Sequence, residues 1–405
     1  MRIPAYIFLS CLLAFLSSCS GKWEPVSLAK EKHHMFDWYH SGGITFLVVS
    51  GEKIYGCTKG EGLVVSNDEG KSWTKARLTG LPDSIEINTM VADKNIMVAG
   101  TDGSGIYISQ DNGKNWKQVN SGLYDTTQYK IYCKTELENE PKDLKWKKMT
   151  RGYSDSNEWY NKILNEFKAA DVTKYMQEQL KTSSVAINGN HIIAYLPAAG
   201  IFTTTLSAAK WEKVEIKDDT LLGYYTMDFA ADDKNVFAYS YDLLHRSQDH
   251  GKTWKKLHIN IPWDTAYVGE NEVVQYERET INAITIKGKT IYAATSHGVF
   301  ISYDEGDHWK EMNMGLPRKK PVSAITLTDN RLFVCPGDYQ GVYVSNDDGK
   351  SWKPFNEGFR KNTDAQYHCG FITCFAVTTN KIFAGVWTNG DCPDALWVRD
   401  LKDAE

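Results

Sequence analysis

The chain repeats one eight-residue pattern five times: serine, any residue, aspartate, any residue, glycine, any two residues and tryptophan. The copies begin at Ser66, Ser109, Ser247, Ser302 and Ser345. Each copy follows a short apolar segment, such as residues 105–108 or 341–344, that is typical of a β-strand. A repeat of about 40–50 residues built from short strands and turns predicts a β-propeller.

The residue types of the motif indicate a structural role. An aspartate carboxylate can accept hydrogen bonds from backbone N–H groups of a turn, and glycine supplies the positive φ that other residues resist. The tryptophan then begins the next strand by packing over the turn. We therefore expect structural rather than catalytic roles for Asp68, Trp73, Asp111, Trp116, Asp249, Trp254, Asp304, Trp309, Asp347 and Trp352.

The motif resembles the Asp box, or BNR repeat, of sialidases, xyloglucan-hydrolysing propellers, sortilin-type receptors and photosystem II assembly factors. Residues 100–109 are most similar to the last two groups, which are soluble propellers. The resemblance implies the fold, but it says little about function, because the shared residues lie in turns that hold blades together.

The blades can be counted from the tryptophans that begin outer strands. Five belong to the motif, and Trp211 follows a sixth unit whose aspartate turn has been lost. The C-terminal region has three strands without a fourth, and the segment after Trp23 is similar to the one after Trp116. We therefore predict an all-β, seven-bladed propeller of four-stranded blades spanning residues 19–405, with its ring closed by the N-terminal strand.

An insert at residues 121–182 separates blades 2 and 3. Residues 155–158 resemble a helix capping box, and the apolar residues that follow recur at helical spacing. These are Trp159, Ile163, Phe167 and Ala170. We interpret this helix face as packing against the propeller, with a partner-binding helix as the alternative.

Residues 1–18 have the pattern of a secretory signal. One positive charge precedes an apolar stretch that is too short to span a bilayer, and small residues follow it. The end of the segment resembles a bacterial lipobox, which implies that Cys19 is the acylated first residue. Ser20 then favours the outer membrane of a Gram-negative cell envelope. An ordinary signal peptide with a chance cysteine is the alternative.

The composition excludes some partners and ligands. A net charge of −5 gives no sign of a nucleic-acid surface, and the ten histidines show no metal-ligand spacing. We expect no cofactor, no metal and a monomer. Six cysteines besides Cys19 follow the signal, an even number that permits disulfides. We expect Cys369 and Cys392 to pair, because both would lie on the loop face of blade 7.

The loops that connect strand 4 to the next strand 1, and strand 2 to strand 3, share one face of a propeller. In this chain they carry aromatic and hydrogen-bonding side chains, which suit a glycan or an extended peptide. The predicted binding residues are Trp263, Tyr267, Tyr276, Arg278, His297, Tyr339, Tyr367, His368 and Trp387. For each of them, an ordinary solvated loop residue is the alternative.

The sequence thus predicts a non-enzymatic binding or assembly module for an envelope protein or a glycan. The alternative is a glycan hydrolase of sialidase-like or xyloglucanase-like type. Such an enzyme needs two carboxylates at a defined separation, for which Glu277, Asp338 and Asp391 are the candidates. Arginine is scarce in the mature chain, which argues against a sialidase site built on three arginines.

Overall fold

The computed structural model describes most of the chain, namely residues 22–26, 43–58, 62–82, 85–123, 176–208, 210–216, 227–241, 243–259, 267–268, 274–275, 280–317, 321–328, 330–337, 341–359, 371–387 and 396–404. Within these ranges the chain forms seven antiparallel sheets of four strands and one sheet of two strands. The first strands of successive sheets contact one another all the way round, and the seventh sheet contacts the first. The four-stranded sheets are therefore the blades of a closed propeller, as predicted.

The first three blades each use four consecutive strands. Blade 1 contains β2 (Ile44–Ser50), β3 (Lys53–Thr58), β4 (Gly62–Ser66) and β5 (Thr74–Lys75). Blade 2 contains β6 (Ile87–Asp93), β7 (Ile96–Thr101), β8 (Ile106–Ser109) and β9 (Lys117–Gln118). Blade 3 contains β10 (Ser184–Asn188), β11 (His191–Leu196), β12 (Gly200–Thr205) and β13 (Glu212–Lys213).

The next three blades repeat this order. Blade 4 contains β14 (Asp228–Ala231), β15 (Val236–Ser240), β16 (Leu243–Ser247) and β17 (Lys255–Leu257). The small sheet follows, with β18 (Tyr267–Val268) and β19 (Val274–Gln275). Blade 5 contains β20 (Ile281–Lys287), β21 (Thr290–Thr295), β22 (Gly298–Ser302) and β23 (Lys310–Glu311). Blade 6 contains β24 (Val322–Leu327), β25 (Leu332–Pro336), β26 (Tyr343–Ser345) and β27 (Lys353–Pro354).

Blade 7 joins the two ends of the chain. It contains β28 (Phe371–Val377), β29 (Lys381–Trp387), β30 (Leu396–Asp400) and, as its outer strand, β1 (Glu24–Pro25). Glu24 lies opposite Val398 in an antiparallel pair. A 3-10 helix, Leu401–Ala404, follows β30. The predicted closure of the ring by the N-terminal strand is confirmed.

The core is divided among the spaces between blades. The described residues form seven apolar clusters, and each cluster joins two neighbouring blades. Between blades 6 and 7, for example, Phe333 and Phe355 pack with Ile382, Trp397 and Trp23. Burial of apolar surface between blades therefore holds the ring together.

A second contact between blades lies at their outer edge. The backbone N–H of Trp211 in blade 3 donates to the Ser121 carbonyl, which follows blade 2, at 2.8 Å. Next to it, Gly122 has φ +91°, and a Cβ there would lie 2.2 Å from the Trp211 carbonyl oxygen. Only glycine fits such an approach. The arrangement recurs at the outer edges that carry Gly80, Gly315 and Gly358.

Several predictions fall outside the described residues. They concern the signal segment, Cys19 and the predicted helix face from Trp159 to Ala170. Near the end of the insert, residues 176–180 form a short helical segment. Among the described residues, no helix combines the length and apolar character that crossing a bilayer requires.

Candidate functional site

The Asp-box carboxylates are fully engaged in their own turns. In blade 1, Asp68 Oδ1 accepts hydrogen bonds from the Ser66 hydroxyl at 2.8 Å and the Ser72 N–H at 2.9 Å. Its Oδ2 accepts from the Ser72 hydroxyl at 2.6 Å. These bonds, led by those from Ser72, lower the pKa of Asp68 to about 2. Hydrogen bonds from the residue four positions later likewise lower the pKa of Asp111 and of Asp304 to about 2. This face of the propeller therefore uses its aspartates to shape turns.

The motif tryptophans form two kinds of hydrogen bond. Trp73 Nε1 donates to the Gly70 carbonyl of its own Asp box at 3.1 Å, and Trp116, Trp254 and Trp309 do the same in theirs. Trp352 Nε1 instead donates to a carbonyl of the preceding blade, that of Met312, at 2.8 Å. The two outer-strand tryptophans without a box, Trp23 and Trp211, also donate to the preceding blade.

The opposite ends of the innermost strands line the mouth of the central channel. In five blades the register between strands 1 and 2 shifts near the start of strand 1, at its second residue or, in blade 7, its third, which forms a β-bulge. The five bulged residues are all polar: Thr45, Asn88, Asn282, Ser323 and Thr373. In blades 3 and 4 the pairing of the two inner strands is regular.

Four of the bulged side chains bind the next blade. Thr373 donates its hydroxyl hydrogen to the Ile44 carbonyl at 2.6 Å, which links blade 7 to blade 1. Asn282 and Ser323 donate to the first-strand carbonyls of blades 6 and 7 at 2.9 and 3.0 Å, respectively. Asn88 donates to the Thr182 carbonyl, just before blade 3, at 3.3 Å. Each bond ties the mouth end of one blade to its neighbour.

The remaining junctions are linked in other ways. The Cys57 thiol joins blade 1 to the Ile87 carbonyl of blade 2 at 3.3 Å. The Ser184 hydroxyl of blade 3 accepts from the Phe229 N–H of blade 4 at 3.1 Å. Between blades 4 and 5, the Tyr241 carbonyl accepts from a backbone N–H, that of Ile281, at 2.8 Å. The described residues thus link all seven junctions around the channel mouth.

A cavity of about 440 Å³ opens at this mouth between blades 4 and 7. Its described lining is mostly hydroxyl, amide and aromatic, with one carboxylate. The lining residues are Asp228, Tyr239, Ser240, Tyr241, Thr280, Ile281, Asn282, Ser323, Ile372 and Thr373. Tyr241 stands at the turn after β15 with φ +46°, and its side chain is 47% exposed. A non-glycine residue with such a φ is uncommon and often marks a functional site.

Asp228 is the unusual residue of this cavity. It is the first residue of β14 and its side chain is exposed to the channel mouth. Its carboxylate forms no hydrogen bond or ion pair with any described residue. The pKa of Asp228 is raised, because surrounding protein atoms displace water from the carboxylate. The pKa of its cross-strand neighbour Tyr239 is raised by burial first and by the Asp228 charge second.

Only part of the predicted binding set can be located. His297 lies in the turn between β21 and β22, with its side chain half-exposed. Its Nδ1 is 3.1 Å from the Ser296 hydroxyl oxygen, which accepts from the N–H of Thr280 at the cavity rim. His297 therefore lies beside the mouth. Of Tyr267 and Trp387 the structure describes the backbone alone, in β18 and β29.

The other predicted residues lie outside the described residues. They are Trp263, Tyr276, Arg278, Tyr339, Tyr367 and His368, the candidate carboxylates Glu277, Asp338 and Asp391, and the cysteines Cys369 and Cys392. The described cysteines, Cys57, Cys335 and Cys374, are free thiols. Within the described ranges, no three histidine, cysteine, aspartate or glutamate residues group to hold a metal.

The sequence analysis missed the cavity residues. A signal for them exists, because in most blades a polar residue follows a buried apolar residue at or next to the start of the innermost strand. Asn282 after Ile281 and Asp228 after Met227 are examples. Each of these polar residues alone resembles an ordinary exposed strand residue. They are recognised as a group only because they occupy the same position in successive blades.

Comparisons with known proteins agree with this architecture. The family model of the BNR/Asp-box repeat matches residues 107–118, which contain the second Asp box. No curated protein sequence matches the chain. Among solved structures, the chain is similar to the extracellular domain of BT4673 from B. thetaiotaomicron, at 12% identity and a TM-score of 0.56. That match covers 93% of this chain but only 39% of BT4673.

Three further structures are similar at comparable levels. YCF48 from Cyanidioschyzon merolae is 10% identical with a TM-score of 0.54, over 95% of this chain and 100% of that one. YCF48 bound to D1 peptide is 12% identical with the same TM-score of 0.54, over 94% and 96%. An ancestral GH74 enzyme is 13% identical with a TM-score of 0.53, over 94% of this chain and 47% of that one.

At these identities the similarities establish the fold alone. The matched repeat and the ring of seven four-stranded sheets point the same way: the chain is a seven-bladed β-propeller that carries the BNR/Asp-box repeat.

Proposed function

We propose that this protein is a non-enzymatic binding or assembly module that holds a segment of a protein or a glycan at the channel mouth. The observation that carries this proposal is the cavity of about 440 Å³ with the Asp228 carboxylate, which has no partner among the described residues. Ligand sites are concave and contain a few convergent polar groups. Hydroxyls of Thr280 and Ser323 and the amide of Asn282 are such groups.

The location of the cavity supports a binding role. It opens on the face that carries the loops between strands 2 and 3, including His297, and the loops that lead into the next blade. In propellers these loops vary without cost to the blades, so function resides there. YCF48, which has a similar fold, is bound to D1 peptide in one of its structures. A similar use of this propeller is part of the proposal.

The proposal also includes the cellular location of the protein. Residues 1–18 have the pattern of a secretory signal that ends at a lipobox-like cysteine. We propose that Cys19 is acylated and that the propeller acts at the cell envelope, where its partner is an envelope protein or a glycan.

The test is a binding and hydrolysis screen with a matched pair of variants. The chain beginning at Ser20 is applied to a glycan array and to peptides from envelope proteins, and released sugar is measured in parallel. Thr280→Trp fills the cavity rim, whereas Thr290→Trp makes the same change at the opposite end of blade 5, where the residue is also half-exposed.

Each outcome decides between functions. We expect binding that Thr280→Trp abolishes and Thr290→Trp preserves. Equal binding by both variants would place the site away from the channel mouth. Release of reducing sugar would establish the hydrolase alternative and direct attention to Glu277, Asp338 and Asp391.

A further inference from the structure

The hydrogen bonds that join neighbouring blades at the channel mouth are different at blade 4. In blades 2, 5, 6 and 7, a polar side chain donates to a carbonyl at the start of the next blade. Asp228 occupies the corresponding place in blade 4, directly after the buried Met227. An ionised carboxylate has no hydrogen to donate, so it cannot form this bond. Asp228 is therefore not explained by closure of the ring.

The junction between blades 4 and 5 does not need the Asp228 side chain. The N–H of Ile281 donates to the Tyr241 carbonyl at 2.8 Å, so backbone atoms supply the link. Tyr239, the cross-strand partner of Asp228, is itself buried. The Asp228 carboxylate thus lies at the cavity, and the link between blades 4 and 5 forms without it.

The surroundings of the carboxylate determine what would stabilise it. Among the described lining residues, Asp228 carries the only carboxyl group, and the others offer hydroxyl, amide, aromatic and aliphatic groups. A carboxylate with reduced hydration and no partner among the described residues is stabilised most by a cation at short range. The exposed ring of Tyr241 at the rim adds a surface that favours a cation over its face.

We propose that the channel mouth binds a lysine- or arginine-bearing segment of a partner protein, with the Asp228 carboxylate as the ion-pair partner of the cationic side chain. This inference rests on the proposed function and specifies its ligand. The hydroxyl oxygens of Thr280 and Ser323 also line the cavity and can accept hydrogen bonds from an ammonium or guanidinium group. The cavity volume of about 440 Å³ accommodates one such side chain with the backbone that carries it.

The experiment uses small probes that differ in charge. N-acetyl-lysine amide, N-acetyl-arginine amide and the neutral N-acetyl-norleucine amide are titrated against the full chain by ligand-observed NMR. The protein variants are Asp228→Asn, which keeps the shape and removes the charge, Asp228→Glu, which restores it, and Asp93→Asn as a control carboxylate outside the cavity. Thermal unfolding of each variant is measured alongside, to separate binding from folding.

We expect at least one cationic probe to bind at least tenfold more tightly than the neutral probe. Asp228→Asn should reduce that binding at least tenfold with no drop in unfolding temperature, while Asp228→Glu and Asp93→Asn retain it. Equal binding of charged and neutral probes, or cation binding that survives in Asp228→Asn, would overturn the proposal. Absence of binding by both cationic probes would overturn it as well.

The two proposals fail in different ways. If the cationic probes do not bind but a glycan or a neutral peptide binds and is blocked by Thr280→Trp, the channel mouth remains the site and the ligand class is wrong. If cationic probes bind and Thr280→Trp leaves that binding unchanged, the mouth is not the site and the proposed function itself fails.

Discussion

Closure of the ring depends on a very short strand, and Trp23 is the residue that secures it. β1 contributes only Glu24–Pro25 to blade 7, which is too little to hold a blade by backbone pairing alone. Trp23 is 2% exposed, and its Nε1 donates to the Phe355 carbonyl of blade 6 at 2.6 Å. Its ring also packs on Phe359, with centroids 4.6 Å apart. We therefore predict that Trp23→Ala strongly destabilises the propeller.

The magnitude follows from the burial. A tryptophan side chain buries roughly 150–250 Å², which at about 25 cal/mol per Å² corresponds to about 4–6 kcal/mol. Measured truncations of buried aromatic residues cost about 3–5 kcal/mol, so we expect a loss in that range for Trp23→Ala. In Trp23→Phe most apolar contact remains and the indole hydrogen bond is lost. The Phe355 carbonyl still accepts from Arg399 at 3.2 Å, so the Phe variant should lose only about 1–2 kcal/mol.

Two measurements check this reasoning. Guanidinium unfolding followed by circular dichroism gives the loss in stability, with Trp309→Ala as the control. Trp309 is half-buried and bonds within its own Asp box, so its truncation should cost less than that of Trp23. Hydrogen exchange then reports on β30, whose outer edge β1 covers. A loss below about 1 kcal/mol for Trp23→Ala, or unchanged exchange in β30, would show that the N-terminal strand does not hold the ring closed.

Three further predictions concern other parts of the fold. Gly122→Ala should lower the stability clearly more than Gly189→Ala, as measured by thermal unfolding. Both glycines have a positive φ, but a Cβ at position 122 would lie 2.2 Å from a backbone oxygen, whereas Gly189 has open space around it. Equal losses of stability would contradict the packing argument. The lowered pKa of Asp68, about 2, stabilises the fold above the unfolded pKa near 4. The stability advantage of wild type over Asp68→Asn should therefore shrink as the pH falls from about 5 to about 2, and a constant difference in acid unfolding would refute it. His191 stacks on His250 with ring centroids 3.8 Å apart, and burial first and the charge of His250 second lower its pKa. Because the unfolded chain then binds more protons, stability should fall as the pH drops below about 6.5; His191→Phe should reduce that fall, which unfolding at pH 5 and pH 7 would measure.

Much of the fold could be predicted because its signals are local. The seven four-stranded blades could be predicted, since the Asp-box turns and the outer-strand tryptophans mark strand ends within a few positions. The closing strand could be predicted from its similarity to the segment after Trp116. The hydrogen-bond partners that lie in different blades could not be predicted from the sequence. Trp73 and Trp352 belong to the same motif, yet only Trp352 donates to the preceding blade. That choice depends on neighbours distant in sequence.

The candidate site could be predicted only as a face of the molecule. Aromatic loop residues drew attention to that face, and His297 lies beside the cavity mouth. The cavity itself depends on the register of strands in different blades, which no local pattern specifies. Asp228 is inconspicuous in the sequence, because an exposed aspartate at a strand end is common. That no other described residue pairs with it is seen only in the assembled ring.

The register of the inner strands provides a physical reason for the special character of blade 4. Where strand 1 carries a bulge, the residue opposite it on strand 2 is small: Cys57, Gly100, Ala294, Cys335 and Gly385. In the two regular blades a tyrosine takes that place, Tyr195 opposite Ser184 and Tyr239 opposite Asp228. We infer that the large ring fills the volume a bulge would use, so the ladder stays regular. In blade 3 the Ser184 hydroxyl still binds the next blade, by accepting from the Phe229 N–H. In blade 4 this place holds the Asp228 carboxylate, for which the described residues provide no partner, and the proposed ion pair rests on this difference between the blades.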